Sequence, residues 1–170
     1  MKEFNFPDIG LNIKMKTNLV TKDYFTKPSF LDEKGKQITD TLKLKELEND
    51  LMKGLLVVSS TDSKSTASFN LAKQTSKTGD FEQYFNFSKS MQLLMAKQEM
   101  VKYDTSSSVL TVDNIKFHKF ITESFKTNQV QYSGIYLAKI KEYFLVIKVD
   151  YTDKLFGQEI EKAILMSKFD

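Results

Sequence analysis

The sequence predicts an α+β fold: one antiparallel β-sheet of about six to seven strands, helices packed on its faces, and a closing C-terminal helix. Three observations predict it. Apolar and β-branched residues form four strand-like runs in succession between Ser108 and Val149, joined by short turns as in hairpins. Two other stretches, opening at Asp80 and Asp153, carry apolar residues at helical spacing behind a capping residue. The helices are grouped rather than alternating one for one with strands, which favours α+β over a parallel α/β sheet. At 170 residues the chain fits one domain, residues 1–170, with enough length to bury a core without staples.

Taken in order, Ile9, Leu11, Ile13 and Met15 alternate with Gly10, Asn12, Lys14 and Lys16, so a half-buried strand is expected there, and an edge position suits it. Thr17 to Lys27 reads as either a short helix or an irregular crossing, ended by Pro28. Asp32 to Gln37 reads as a turn. Asp40 to Lys53 has Leu44, Leu47 and Leu51 at helical spacing, with Gly54 where a C-terminal cap would sit. Leu55 to Ser60 is short and apolar enough for a buried strand. A serine-rich loop to Thr66 follows, and Ala67, Phe69 and Leu71 make the returning strand.

Asp80 opens the longest helix, with Gln83 as a capping-box partner and an end near Met100. Phe81, Tyr84, Phe85, Ser88, Met91, Leu94, Met95 and Gln98 trace its expected inner face. Then come Val109–Val112, the turn Asp113-Asn114, and Ile115–Ile121. A polar break at Lys126–Gln129 leads to Val130–Ala138, the turn Lys141-Glu142, and Tyr143–Val149. In the closing helix Phe156, Ile160, Ala163, Ile164 and Ser167 share a face that should lie back across the sheet.

Composition removes several function classes. There is no cysteine, so disulfides, thiol catalysis and thiolate metal sites are excluded. The net charge of +3 comes from lysines dispersed among 22 acidic residues, and with no arginine in the chain nucleic-acid binding is disfavoured. Met1 to Asp8 has no apolar leader core, and no run approaches the roughly eighteen apolar residues of a membrane span. The chain as it stands reads as cytoplasmic. Removal of a leader from a longer parent would leave the same sequence with a periplasmic or lipid-anchored home.

Two segments carry a family resemblance. Asp8-Ile9-Gly10-Leu11-Asn12-Ile13-Lys14-Met15 is similar to the opening strand of the PsbP-like family, which includes the Ran-binding Mog protein and bacterial DcrB-like domains. Tyr143–Tyr151 running into Ile160–Phe169 is similar to that family's last strand, acidic loop and closing helix. The resemblance implies an antiparallel sheet with helices on its faces and a non-enzymatic role exerted through protein partners such as a small GTPase, photosystem subunits or secretion effectors. Lys16-Thr17-Asn18-Leu19 stands where that family carries proline and tryptophan, and no functional residue carries over.

Candidate chemistry is sparse. His118, the one histidine, suits a general base or pH sensor, but on a strand it reads first as exposed or hydrogen-bonded. Glu46, Glu48 and Asp50, and Glu159 and Glu161, are spaced two apart, which on a helix points them to different sides, so they read as solvated faces. Asp150 and Asp153 read as loop and cap residues. Ser59, Ser60, Ser63, Ser65 and Ser106 to Ser108 read as loop serines, because no nucleophile elbow accompanies them. No metal, cofactor or catalytic residue is expected.

Methionines on or near the long helix suit either a core or an adaptable partner groove. Phe87, Met91, Met95 and Met100 are therefore the candidate partner-binding surface, and joint solvent exposure would mark it. The expected function is a non-enzymatic protein-interaction or chaperone-like accessory domain, acting through a protein partner and open to self-association. The alternative is a module for a small apolar ligand, which needs a cavity of roughly 300 Å³ or more between sheet and helix. An enzyme built on His118 and carboxylates is the third reading.

Overall fold

The computed structural model describes residues 1–16, 19–22, 39 and 52–169, the side chains of 20–22 excepted. Among the described residues, ten strands and two α-helices follow in the order β1 (Lys2–Phe6), β2 (Leu11–Met15), β3 (Val20–Lys22), β4 (Lys53–Ser59), β5 (Thr66–Lys73), α1 (Phe81–Gln98), β6 (Lys102–Val112), β7 (Ile115–Lys126), β8 (Gln129–Ile140), β9 (Tyr143–Tyr151), α2 (Lys154–Leu165) and β10 (Lys168–Phe169). The α+β expectation holds, with seven strands in one antiparallel sheet ordered β3-β4-β5-β9-β8-β7-β6. A separate three-stranded sheet, β1-β2-β10, is added to it.

The differences from expectation have local causes. Ile9 lies in a 3-10 turn over Pro7–Ile9 rather than in the opening strand, because Gly10 takes φ 65° and reverses the chain between β1 and β2. β2 is the centre of its sheet, not an edge. Within Thr17 to Lys27, Val20–Lys22 forms a strand against Val57–Ser59; residues 17, 18 and 23–27 lie outside the described residues, as do the turn expected over 32–37 and residues 40–51 of the expected helix. Lys53 already belongs to β4, so Gly54 caps no helix. It sits at a shift in the β4–β5 register, a bulge that lets consecutive Leu55 and Leu56 both enter the core.

The large sheet is covered on both faces, and its central strands are correspondingly apolar throughout: Ile135 to Ala138 of β8 and Phe144 to Ile147 of β9 are buried without interruption. One face, through Phe69, Leu71, Phe117, Tyr136, Leu145 and Ile147, shares a core with Phe4, Leu11 and Ile13 of the small sheet and with Phe156, Ile160, Ala163 and Ile164 of α2. All of the apolar positions assigned to that helix face are buried, and Ser167 beyond them is buried too, its hydroxyl donating to the Ala163 carbonyl at 2.9 Å. The other face, through Ala72, Phe120, Ile135, Leu137, Phe144 and Val146, packs against Phe81, Tyr84, Phe85 and Leu93 of α1.

Candidate functional site

The α1 helix leaves four large apolar side chains, Phe87, Met91, Leu94 and Met95, exposed. The helix starts as the sequence dictates: the Asp80 carboxylate accepts from the Gln83 amide at 2.9 Å, and the Gln83 side chain accepts from the Asp80 amide at 3.0 Å. Each bond satisfies a donor that the first turn would otherwise leave open. Gly79 before it has φ 71°, and any Cβ there would lie 2.2 Å from Gln83 Oε1, so glycine is required for the chain to enter the cap.

Aromatic packing anchors the first turns. The Phe81 ring lies 4.8 Å from His118 and 6.0 Å from Phe144, and the Phe85 ring lies 5.4 Å from His118. His118 is therefore half-buried between helix and sheet rather than exposed, its ring part of an aromatic cluster with Phe81 and Phe85. Farther along, the inner face departs from the expected one. Ser88 turns inward as expected, but so do Lys89, Gln92, Leu93 and Ala96, whereas Met91, Leu94 and Met95 face out. Lys89 serves this role by laying its chain over the Phe85 and Phe120 rings, with Nζ 5.4 Å from each centroid.

Phe87, Met91 and Met95 follow one another at intervals of four residues and are 64%, 44% and 65% exposed. They form one wall of a groove of about 500 Å³ between α1 and the sheet. Met100 is 94% exposed but lies past the helix end, with φ 54°, and does not line the groove. The opposite wall and floor are mixed: Ile135 and Val146 are apolar, whereas Thr122, Ser124, Ser133, Lys148 and Asp150 are polar. Thr122 donates to the Ser133 carbonyl at 3.0 Å, and the Ser133 hydroxyl donates to Asp150. Asp150 is thus a groove residue on β9, not the loop residue expected. Burial holds its carboxyl above the ordinary aspartate range, with Glu99 adding to the shift, while the Ser133 bond and Lys148 oppose it.

A second polar cluster lies across the sheet, beside α2. Glu161 accepts from the Tyr136 phenol at 2.9 Å and pairs with Lys119, and Glu123 accepts from Tyr132 at 2.9 Å. Glu161 is therefore anchored rather than freely solvated, and Glu159 pairs with Lys16 at 2.6 Å. The Tyr132 and Tyr151 rings stack at 5.0 Å beside a depression of about 420 Å³. Burial first, and the charge of Glu161 next, push the Tyr136 phenol well upward and the Tyr151 phenol up to about 12. Both stay protonated at neutral pH, and the Tyr136 hydroxyl serves as a hydrogen-bond donor to Glu161. Among the described residues no three His, Asp or Glu side chains gather to hold a metal ion, and no helix is long and apolar enough to cross a membrane. Ser106, Ser107 and Ser108 lie within β6 and not in a loop. Glu46, Glu48 and Asp50 lie outside the described residues.

No family model and no curated protein matches the sequence. Solved structures do match its fold. The solution structure of cyanobacterial PsbP, CyanoP, from Synechocystis aligns over 99% of this chain and 92% of its own with a TM-score of 0.60 at 4% identity. A protein from Bacteroides thetaiotaomicron aligns over 99% of this chain with a TM-score of 0.50 at 9% identity, and the aligned region is 48% of its length. LpqN of Mycobacterium tuberculosis, a protein involved in cell envelope biogenesis, aligns over 98% of this chain and 88% of its own at 11% identity, with a TM-score of 0.47. At such identities the likeness is one of fold, and the fold of this chain is PsbP-like.

Proposed function

We propose that this chain is a non-enzymatic accessory domain that binds a protein partner along the outer side of α1. The observation that carries the reading is the row Phe87, Met91, Met95, exposed together on the wall of a groove. Large apolar side chains in a contiguous exposed row are disfavoured on a surface that meets only water. Thioethers beside an aromatic ring suit a site that adapts to its partner. The polar floor supplies hydrogen-bonding groups for a polar rim. A PsbP-like fold is consistent with an accessory, protein-interacting role.

Photo-crosslinking in the source cells tests this. A photo-reactive side chain placed at position 87 should trap one discrete partner, and Met91→Ser with Met95→Ser should abolish the adduct while leaving the fold intact. The same group at Leu155, an exposed apolar residue of α2, should trap nothing comparable. Equal labelling from both positions would count against the α1 surface. The groove volume of about 500 Å³ also keeps a small apolar ligand as a second reading. In that case a fluorescent fatty acid should bind stoichiometrically and be displaced by Ile135→Trp, which fills the groove floor.

A further inference from the structure

We propose that β6 is a self-pairing edge, through which two copies of this chain join antiparallel so that their seven-stranded sheets run on as one. Among the described residues the sheet ends in two edges of unequal character. β3 is three residues long, whereas β6 is eleven residues long. β6 pairs with β7 without a break from Lys102 opposite Phe125 to Val112 opposite Ile115. Its outer side therefore presents alternate backbone N–H and C=O groups along a straight edge of roughly 36 Å, at about 3.3 Å per residue.

Edge strands that stay unpaired in other proteins are usually short, bulged, interrupted by proline or guarded by charge. β6 has no proline, no glycine and no bulge, and its only charges, Lys102 and Asp104, sit near one end. Residues 104–109 are exposed on both faces, so neither helix obstructs the approach of another strand.

The strand is also compatible with itself. Full-length antiparallel pairing of residues 102–112 puts Ser107 on the two-fold axis. Ser106 then faces Ser108 of the second copy, and Thr105 faces Val109. Lys102 meets Val112 and Asp104 meets Leu110, so no like charges are opposed. Serine and threonine pairs across the axis can hydrogen-bond, and Val109, which is 53% exposed, gains the Thr105 methyl as cover. Met100, two residues before the strand, comes beside the second copy's Asp113-Asn114 turn, which gives this otherwise bare side chain a neighbour. Backbone pairing over one strand falls short of the roughly 1,200 Å² of a standard interface, so the dimer is weak and concentration-dependent.

Sedimentation velocity from micromolar to millimolar protein reads this directly. The wild-type chain should pass from monomer to dimer across that range. Ser107→Lys sets two ammonium groups against each other on the axis and should weaken association about five- to tenfold. An equimolar mixture of Ser107→Lys and Ser107→Glu should recover it, which a misfolded variant would not do. Phe87→Ser with Met95→Ser should leave association unchanged. A wild-type chain that stays monomeric throughout, a Ser107→Lys variant that dimerises as well as wild type, or dimerisation lost in the α1 variant would each overturn the proposal.

Discussion

Gly157→Ala sets two effects of known size against each other. Gly157 lies inside α2, where alanine is favoured over glycine by about 1 kcal/mol in helix propensity. Propensity alone therefore predicts a more stable protein. A Cβ at this position, however, would fall 2.5 Å from Cζ, 2.6 Å from Cε2 and 2.8 Å from the hydroxyl oxygen of Tyr151. That ring cannot simply swing clear: it stacks on Tyr132 at 5.0 Å, nearly parallel at 12°, and abuts Phe156 at 6.4 Å. Overpacking of this kind costs about 1–3 kcal/mol. The cost exceeds the propensity gain, and the expected net loss is about 1 kcal/mol, a fall in Tm of roughly 3 °C for a chain of this size.

Thermal and urea unfolding of Gly157→Ala, Tyr151→Ala and the double variant check the reasoning. With the Tyr151 ring removed, the added methyl group has room, and Gly157→Ala should then stabilise by about 1 kcal/mol. The sign of the glycine substitution thus reverses with the background. A single Gly157→Ala variant that melts above wild type, or a loss that persists in the Tyr151→Ala background, would refute the account.

Two further outcomes are expected. Asp80→Ala removes the carboxylate half of the reciprocal cap on α1, leaving the Gln83 side chain its bond from the backbone amide of residue 80, and should lower stability by about 1 kcal/mol, read from the urea midpoint, with no effect on the α2 face. Asp150→Asn should stabilise the protein at neutral pH. Burial raises the Asp150 pKa in the folded state, so the folded protein prefers the protonated carboxyl; that preference favours folding fully below the ordinary value of 3.8 and is lost as pH rises through the raised folded value. Asparagine keeps an acceptor for the Ser133 hydroxyl without the partly desolvated charge, and its advantage in urea midpoint should shrink as pH falls through the raised folded value and be gone below 3.8.

Periodicity in the sequence revealed the elements whose inner faces are apolar from end to end. Phe156, Ile160, Ala163 and Ile164 mark the buried side of α2 because every third or fourth position is a hydrocarbon, and the Asp80–Gln83 pair marks the start of α1 because capping is chemistry local to four residues. Legibility failed where burial and polarity part company. β6 begins at Lys102, seven residues before the expected strand, because an edge exposed on both faces needs no apolar alternation. β1 offers only Phe4 and Phe6 as inward positions, too few to establish a period of two.

The α1 surface was half legible for the same reason. Phe87, Met91 and Met95 could be named as a candidate row, but hydrophobicity also assigned Met91 and Met95 to the inner face. The real inner face keeps Ser88 but takes Lys89 and Gln92 in their place, whose long aliphatic stems let them sit against the sheet. Asp150 and the groove floor gave no local sign, since their residues meet only across the three paired strands β7, β8 and β9 and under α1.

The small sheet has a bearing on the order in which the protein assembles. β2 pairs with its neighbour β1, but its other side is completed by Lys168 and Phe169, opposite Asn12 and Leu11, and the Phe169 amide is held by Asp113 at 2.9 Å. Synthesis must therefore have passed Phe169 before Leu11 acquires its second strand partner. Until then the apolar side of the β1–β2 hairpin is without α2 as well, since Phe156 and Ile160 emerge almost as late. The hairpin stays uncovered while residues 16 to 153 are made, and closure of the small sheet waits on β10.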